Sequence, residues 1–174
     1  MRKFLFLTFA NFIFLSTLLC YESKDRRVTL ADRNGIVEIA KSYIGTPYKE
    51  GGDTPKGFDC SGFTMFVYRK AGYKIPRTTK DQYLQLEPVK KPKIGDLVFF
   101  KLESNSVSHV GIYIGNFQFI HAPSTGKSVE ISDLRNPYWR KRYVGSRSYF
   151  FGSHRLNQNL FTTSMISLYS AEVI

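Results

Sequence analysis

The sequence predicts an α+β domain in which N-terminal helices pack on an antiparallel β-sheet. Three observations predict it. Apolar residues between 32 and 86 recur at helical spacing. After Pro92 the period falls to two. Helical segments come first and strand segments afterwards, without the alternation that a parallel sheet requires.

The chain has 174 residues, 43% of them hydrophobic and 16% aromatic. This suits one domain with a real core and excludes a disordered chain. No internal repeat is visible, which excludes a solenoid. The stretch "MRKFLFLTFANFIFLSTLLC" opens with Arg2 and Lys3 and is then apolar from Phe4 to Leu19. A basic start followed by such a run is the pattern of a secretory signal, with a retained membrane anchor as the competing reading. The run ends in "TLLC", which resembles a bacterial lipoprotein signal in which Cys20 is lipidated and becomes the mature N-terminus. Export is therefore expected, with a membrane lipid anchor if Cys20 is modified.

Residues 21–31 read as a polar linker. "DRNGIVEIAKSYIG" follows, with Ile36, Val37, Ile39, Ala40, Tyr43 and Ile44 on a helical stripe. Asp32 is the expected cap, and Gly45 with Pro47 the expected end. "TPYKEGGDTPKGF" is a Gly/Pro-rich loop. A second helix is predicted from Cys60 to Lys70, burying Phe63, Phe66 and Val67 and closed by Gly72. In "TKDQYLQL", Thr79 lies three residues before Gln82, a capping-box spacing for a short third helix. "DLVFF", "HVGIYIG", "FQFIHA", "SVEIS" and "YVGSRSYF" are predicted strands, parted by turn residues. The segment after Arg155 has weak periodicity.

The segment "GFDCSGF" raises the chemical question. Cys60 has no disulfide partner if Cys20 is lipidated or removed, and a lone exported thiol is open to oxidation. In the first turn of a helix its sulfur would lie near unpaired N–H groups and the positive end of the helix dipole. Both favour the thiolate, so a lowered thiol pKa is expected, and the same amides can donate to an oxyanion. Gly57 and Gly62 would let backbone and substrate approach closely.

Such a thiol needs a base. His109 opens one strand and His121 ends the next. On the first strand His109, Gly111 and Tyr113 share a face while Val110, Ile112 and Ile114 face the core; on the second, Phe117, Phe119 and His121 share a face. The two histidines meet only in one register class. Direct opposition of 109 and 121 requires Tyr113 to face Phe117 across a three-residue loop. A two-residue Gly115-Asn116 turn would send His121 to the wrong face unless a bulge corrected it. In the permitted class, His109 is the base and His121 orients it. His154, beyond the last strand, has no such context. The competing readings are a buried structural thiol with ordinary strand histidines, and a zinc site. Zinc is disfavoured because there is no paired Cys or His spacing, so no metal is expected.

"GTPYKEGGDTPKGFDCSGFTMFVY", "IPRTTKDQ", "IGDLVFF", "SHVGIYIG" and "FIHAPSTG" occur in that order. Together they resemble the NlpC/P60 family of bacterial cell-wall cysteine peptidases across roughly residues 34–150. "NPYWRKRY" further resembles the branch of small lipoprotein murein endopeptidases. The resemblance implies a papain-like fold, with Cys60 as nucleophile, His109 as base and His121 as the orienting third residue. It implies that Tyr48 lies near the nucleophile and helps polarise the scissile carbonyl, and that Asp59 and Ser61 line the substrate groove. Packing beside the glycine loop and helix capping are the plainer roles for Tyr48 and Asp59. The implied reaction is hydrolysis of peptidoglycan stem or cross-link peptides by a D,L-endopeptidase through a thioester, without a cofactor.

The expected organisation is a signal at 1–20, a linker at 21–33, a catalytic domain at 34–152 and a C-terminal appendage at 153–174, in a monomer of the cell envelope. The formal charge is +11. The bases are scattered, apart from "WRKRY" at 139–143, with no nucleic-acid motif, and they suit an anionic wall matrix. Two other functions compete. One is an amidase or acyltransferase on the same thiol fold, which the polar "KEGGDTPKG" beside Cys60 disfavours as a lipid groove. The other is a non-enzymatic envelope lipoprotein that binds wall peptides.

Overall fold

A computed structural model describes residues 29–102 and 105–150. The expected signal with Cys20, the start of the expected linker, His154 and the expected C-terminal appendage lie outside these residues. The first helix, α1 (Leu30–Lys41), begins inside the stretch expected to be linker. Its cap is Thr29 rather than Asp32. The Thr29 hydroxyl accepts from the Asp32 N–H, and the Asp32 carboxylate accepts from the Thr29 N–H at 2.7 Å. Asp32 is thus the far partner of a capping box, because the carboxylate three residues into a helix can reach back to the cap. Ile36, Val37 and Ala40 form the buried stripe.

The Gly/Pro loop contains a small hairpin, β1 (Asp53–Thr54) and β2 (Gly57–Phe58). It leads into α2 (Cys60–Lys70), which buries Phe63, Phe66 and Val67 as predicted. Next comes α3 (Thr79–Gln85), capped by Thr78 through the Asp81 N–H rather than by Thr79. That one-residue shift frees the Thr79 hydroxyl for the site. It also places Gln82 fully inside, bonded to Thr64 Oγ1 and to the Ser61 and Pro76 carbonyls.

The remaining strands are β3 (Glu87–Val89), β4 (Leu97–Phe100), β5 (His109–Gly115), β6 (Gln118–His121), β7 (Glu130–Asp133) and β8 (Tyr143–Ser148). They form one sheet of order β3-β8-β4-β5-β6-β7, antiparallel throughout. A short helix, α4 (Pro137–Arg142), interrupts the predicted run of strands, with Asn136 as cap and Pro137 at its first position. The sheet has an apolar layer on each side. Leu97, Phe99, Val110, Ile112 and Ile120 pack against Ile36, Phe63 and Val67 of the helices. Val98, Phe100 and Phe119 pack under Trp139 of α4.

One buried ion pair ties α1 to the sheet. Arg33 donates to Asp96 at 2.7 Å and to the Ile94 carbonyl at 2.9 Å. Asp96, 1% exposed, also accepts from Ser148 Oγ and the Lys93 N–H. With its hydrogen bonds made, the pair is tolerated; with Asp96 gone, Arg33 is left without its counter-charge. Asp96→Ala is expected to lower unfolding stability by about 3 kcal/mol with an unchanged urea m-value, and a loss under about 1 kcal/mol would refute this.

Candidate active site

Cys60 is placed by the loop before it as much as by its own helix. The Asp59 side chain caps α2, accepting from the Gly62 N–H at 2.6 Å. The Asp59 N–H donates to the Gly52 carbonyl at 2.9 Å. A Cβ on Gly62 would lie 2.0 Å from that same carbonyl oxygen, so only glycine lets the hairpin loop seat against the helix start. The close approach at Gly62 is therefore made to the protein's own backbone.

Arg77, which sequence reasoning passed over, holds this corner. Its Nη1 and Nη2 donate to the two Asp59 oxygens at 3.0 and 2.6 Å, and Nη1 also reaches Ser61 Oγ at 3.0 Å. Ser61 is buried between them and itself donates to Asp59. Burial raises the Asp59 pKa, but the bonds from Arg77 and Gly62 outweigh it and hold the carboxyl below its usual range. Tyr48 lies partly buried against the same core as Cys60. Burial, then the nearby Cys60, Asp59 and Glu50, push its phenol up.

The sulfur of Cys60 is partly exposed and lies 3.5 Å from Thr79 Oγ1 and 3.9 Å from the Ser108 carbonyl, one residue before His109. Contrary to the sequence-based expectation, its pKa is raised. Burial is the largest effect and Asp59 adds to it, while bonds from Thr79 and from the Val110 and Ser61 backbone oppose it. The helix amides act as predicted but do not win, because the thiol lies partly buried against the apolar core.

The two histidines are brought together. His109 Nε2 and His121 Nδ1 are 2.8 Å apart, with the rings nearly perpendicular. The register differs from the predicted one. Tyr113 pairs with Phe119 and Ile112 with Ile120, so His109 and His121 are diagonal rather than opposed. The turn is the two-residue Asn116-Phe117, flanked by the pair Gly115–Gln118. Uncorrected, it would put the histidines on opposite faces. A bulge between Tyr113 and Gly115 restores the shared face. Gly111 permits the diagonal approach: a Cβ there would lie 2.6 Å from the Phe119 ring and 3.2 Å from His121 Cβ.

His121 Nε2 in turn lies 3.0 Å from Ser132 Oγ, with the Glu130 carboxylate at 3.8 Å. Neither partner stood out in the sequence, since "SVEIS" carries only a strand signal. With both rings neutral, a proton on each Nε2 satisfies the chain. His109 donates to His121, and His121 donates to Ser132. His109 Nδ1 is then left bare, as a base requires. A nitrogen–nitrogen separation of 2.8 Å is also too short for a zinc ion bound by both.

Trp139 roofs the pair. Its ring stacks on His109 at 5.5 Å and meets His121 edge-on at 4.9 Å. In the sequence it had been grouped with the basic cluster; its position after a capped Pro was the available signal of a helix. His109 and His121 are 2% and 0% exposed. Burial drives the His109 pKa down to about 4. It drives His121 to about 2, with smaller contributions from His109 and Lys127.

Three outcomes follow. The unfolded chain protonates these rings first as pH falls. Stability is therefore full above the ordinary His value of about 6.5 and declines as pH falls from there toward 4, by up to about 3 kcal/mol for His109 alone. Thermal melts across this window test it, and a flat Tm contradicts it. Trp139→Ala should move the His109 titration up toward 6.5 in ring NMR spectra; an unmoved titration denies the shielding. Alkylation of Cys60 by iodoacetamide, followed by peptide mass, should have its midpoint above the ordinary thiol value of about 8.5. A midpoint below that value would restore the thiolate expectation.

Residues 45–148 match the model of the NlpC/P60 family. The chain is 45% identical over 114 residues to the Probable peptidoglycan endopeptidase LytE of Bacillus subtilis (strain 168), covering 66% of this chain and 34% of LytE. It is 42% identical over 130 residues to Murein DD-endopeptidase MepS/Murein LD-carboxypeptidase of Escherichia coli (strain K12), covering 73% of this chain and 67% of that protein. A solved NlpC/P60 family protein from Bacillus cereus ATCC 10987 aligns with a TM-score of 0.64 and 38% identity, over 68% of this chain and 40% of that one. The stretch that matches the family model takes in Cys60, His109, His121 and every strand of the sheet, and on that match the chain belongs to the NlpC/P60 family.

Proposed function

We propose that this protein is a peptidoglycan hydrolase, a cysteine endopeptidase acting on stem or cross-link peptides. One observation carries the reading: His109 Nε2 is engaged by the His121–Ser132 chain, on a strand whose preceding residue, Ser108, lies 3.9 Å from the thiol at the start of α2. The names of LytE and MepS support the substrate class.

In the proposed reaction, the Cys60 proton moves to His109 Nδ1 as Sγ bonds to the scissile carbonyl carbon. His121 accepts from the new imidazolium through Nδ1 and stabilises it. Backbone N–H groups at the start of α2 receive the oxyanion. The C–N bond then breaks, and His109 gives its proton to the leaving amine. Water, deprotonated by His109, hydrolyses the thioester and returns the proton to sulfur. With burial favouring the neutral thiol and the neutral ring, proton transfer is coupled to attack. Tyr48 is the proposed carbonyl-polarising group, and Asp59 and Ser61 the groove residues, aligned by Arg77. No step calls for a cofactor. MepS is named a DD-endopeptidase and LD-carboxypeptidase, whereas the motifs suggested a D,L-endopeptidase; the proposal here is peptide-bond cleavage in the stems, with the bond read by experiment. Export and a lipid anchor on Cys20 complete the reading and place the enzyme in the cell envelope.

Purified peptidoglycan is digested with the full chain and with Cys60→Ala, and the fragments are analysed by mass spectrometry. New peptide ends from the unsubstituted chain alone are expected. His121→Ala should lower kcat by about 100-fold or more while leaving KM nearly unchanged. Identical fragment patterns from folded wild type and Cys60→Ala would refute the hydrolase.

A further inference from the structure

The face of the sheet turned away from α1, α2 and α3 carries a cavity of about 660 Å³ that the proposed reaction does not use. Its lining includes four cations, Lys90, Lys91, Arg135 and Arg140, and no carboxylate. All four are exposed. Arg135 is paired with Asp133. Among the described residues, Lys90, Lys91 and Arg140 have no ion pair. Uncompensated cations converging on a concavity select an anionic ligand.

The walls are aromatic: Tyr113, Phe117 and Tyr143. Phe117 is the unusual one. It occupies a left-handed conformation, φ 62°, in a turn where glycine would be relaxed, and its side chain is 55% exposed. A bulky residue at positive φ is strained, and an exposed ring gains little burial to offset it. Two contacts hold it there. The Phe117 N–H donates to the Tyr113 hydroxyl, and the Arg135 guanidinium lies 5.4 Å from the ring centre. Strain retained at a cavity mouth, with a cation stacked on the strained ring, points to a binding surface.

The cavity is separate from the thiol site yet in line with it. Tyr113 lies four residues along β5 from His109, about 13 Å, and Arg140 follows Trp139 directly. We infer that this cavity binds a second, uncleaved segment of peptidoglycan, with stem-peptide carboxylates on the cations and sugar rings against the aromatic walls. The inference rests on the peptidoglycan reading above and adds to it an anchoring site for a polymeric substrate. An anionic ligand whose sugar rings present apolar C–H faces matches both halves of the lining.

The test measures binding of the full chain carrying Cys60→Ala to purified sacculi, to sacculi stripped of stem peptides, and to vesicles containing anionic phospholipid. Adding Lys91→Glu and Arg140→Glu should weaken binding to intact sacculi about tenfold. Lys70→Glu with Lys74→Glu, two exposed lysines outside the cavity lining, should leave it unchanged. Phe117→Gly should weaken binding about threefold while Tm holds or rises, because glycine relieves the strain. Stripped sacculi should bind more weakly than intact ones. Equal losses from the two charge reversals, no loss from the cavity reversal, or cavity-dependent binding to vesicles but not sacculi would each overturn the inference. With Cys60 intact, the cavity reversal should leave turnover of a short soluble stem peptide within about twofold. If the unsubstituted chain fails to turn over that peptide, the hydrolase reading fails while the binding arms still decide the cavity.

Discussion

A single extra residue in β5 decides whether this protein has a histidine pair at all. A two-residue turn at Asn116-Phe117 pairs Gly115 with Gln118 and, continued regularly, sends His121 to the helix side of the sheet. The irregularity between Tyr113 and Gly115 shifts the register by one and returns the ring to the side of His109. Everything chemical depends on that correction. The 2.8 Å contact, the onward bond to Ser132 and the aromatic roof of Trp139 all require both rings on one face. The bulge also costs little, since it falls near the turn, where the ladder ends anyway.

The second constraint is dryness. Trp139, Phe119 and Phe100 pack around the histidines, and the apolar core packs around Cys60. In such surroundings burial favours the neutral forms, raising the thiol pKa and lowering that of the imidazole. In the proposed reaction the charged pair would form only as the substrate's carbonyl carbon takes the sulfur's electrons. The helix amides at Cys60 would then serve the developing negative charge more than the resting sulfur.

The helix-then-sheet order, the α2 face, five strands of the sheet and the approach of His109 to His121 were legible because each rests on periodicity or on short-range geometry, whereas β3 and α4, three and six residues long, are too short to show a period. The caps were misread by one position at α3 and by three at α1, where adjacent or reciprocal side chains offer equivalent bonds. The register was legible only as a class: parity could be demanded of His121, but not the bulge that satisfies it. Trp139, Arg77, Thr79, Ser132 and Asp96 were not legible. Each acts through a contact made across the fold, between segments far apart in the chain, and no local spacing reports it. The thiol pKa was misjudged for the same reason, since burial is a property of the whole core whereas the helix terminus is local.

Among the described residues the sheet is open, with β3 and β7 as its outer strands. β3 is three residues long with Pro88 at its centre, and β7 is four residues long with Glu130 and Asp133 at its ends. Proline has no N–H to offer a further strand, and terminal carboxylates repel an approaching acidic partner. Neither edge is long or flat enough to template another chain, which disfavours edge-to-edge aggregation of the domain.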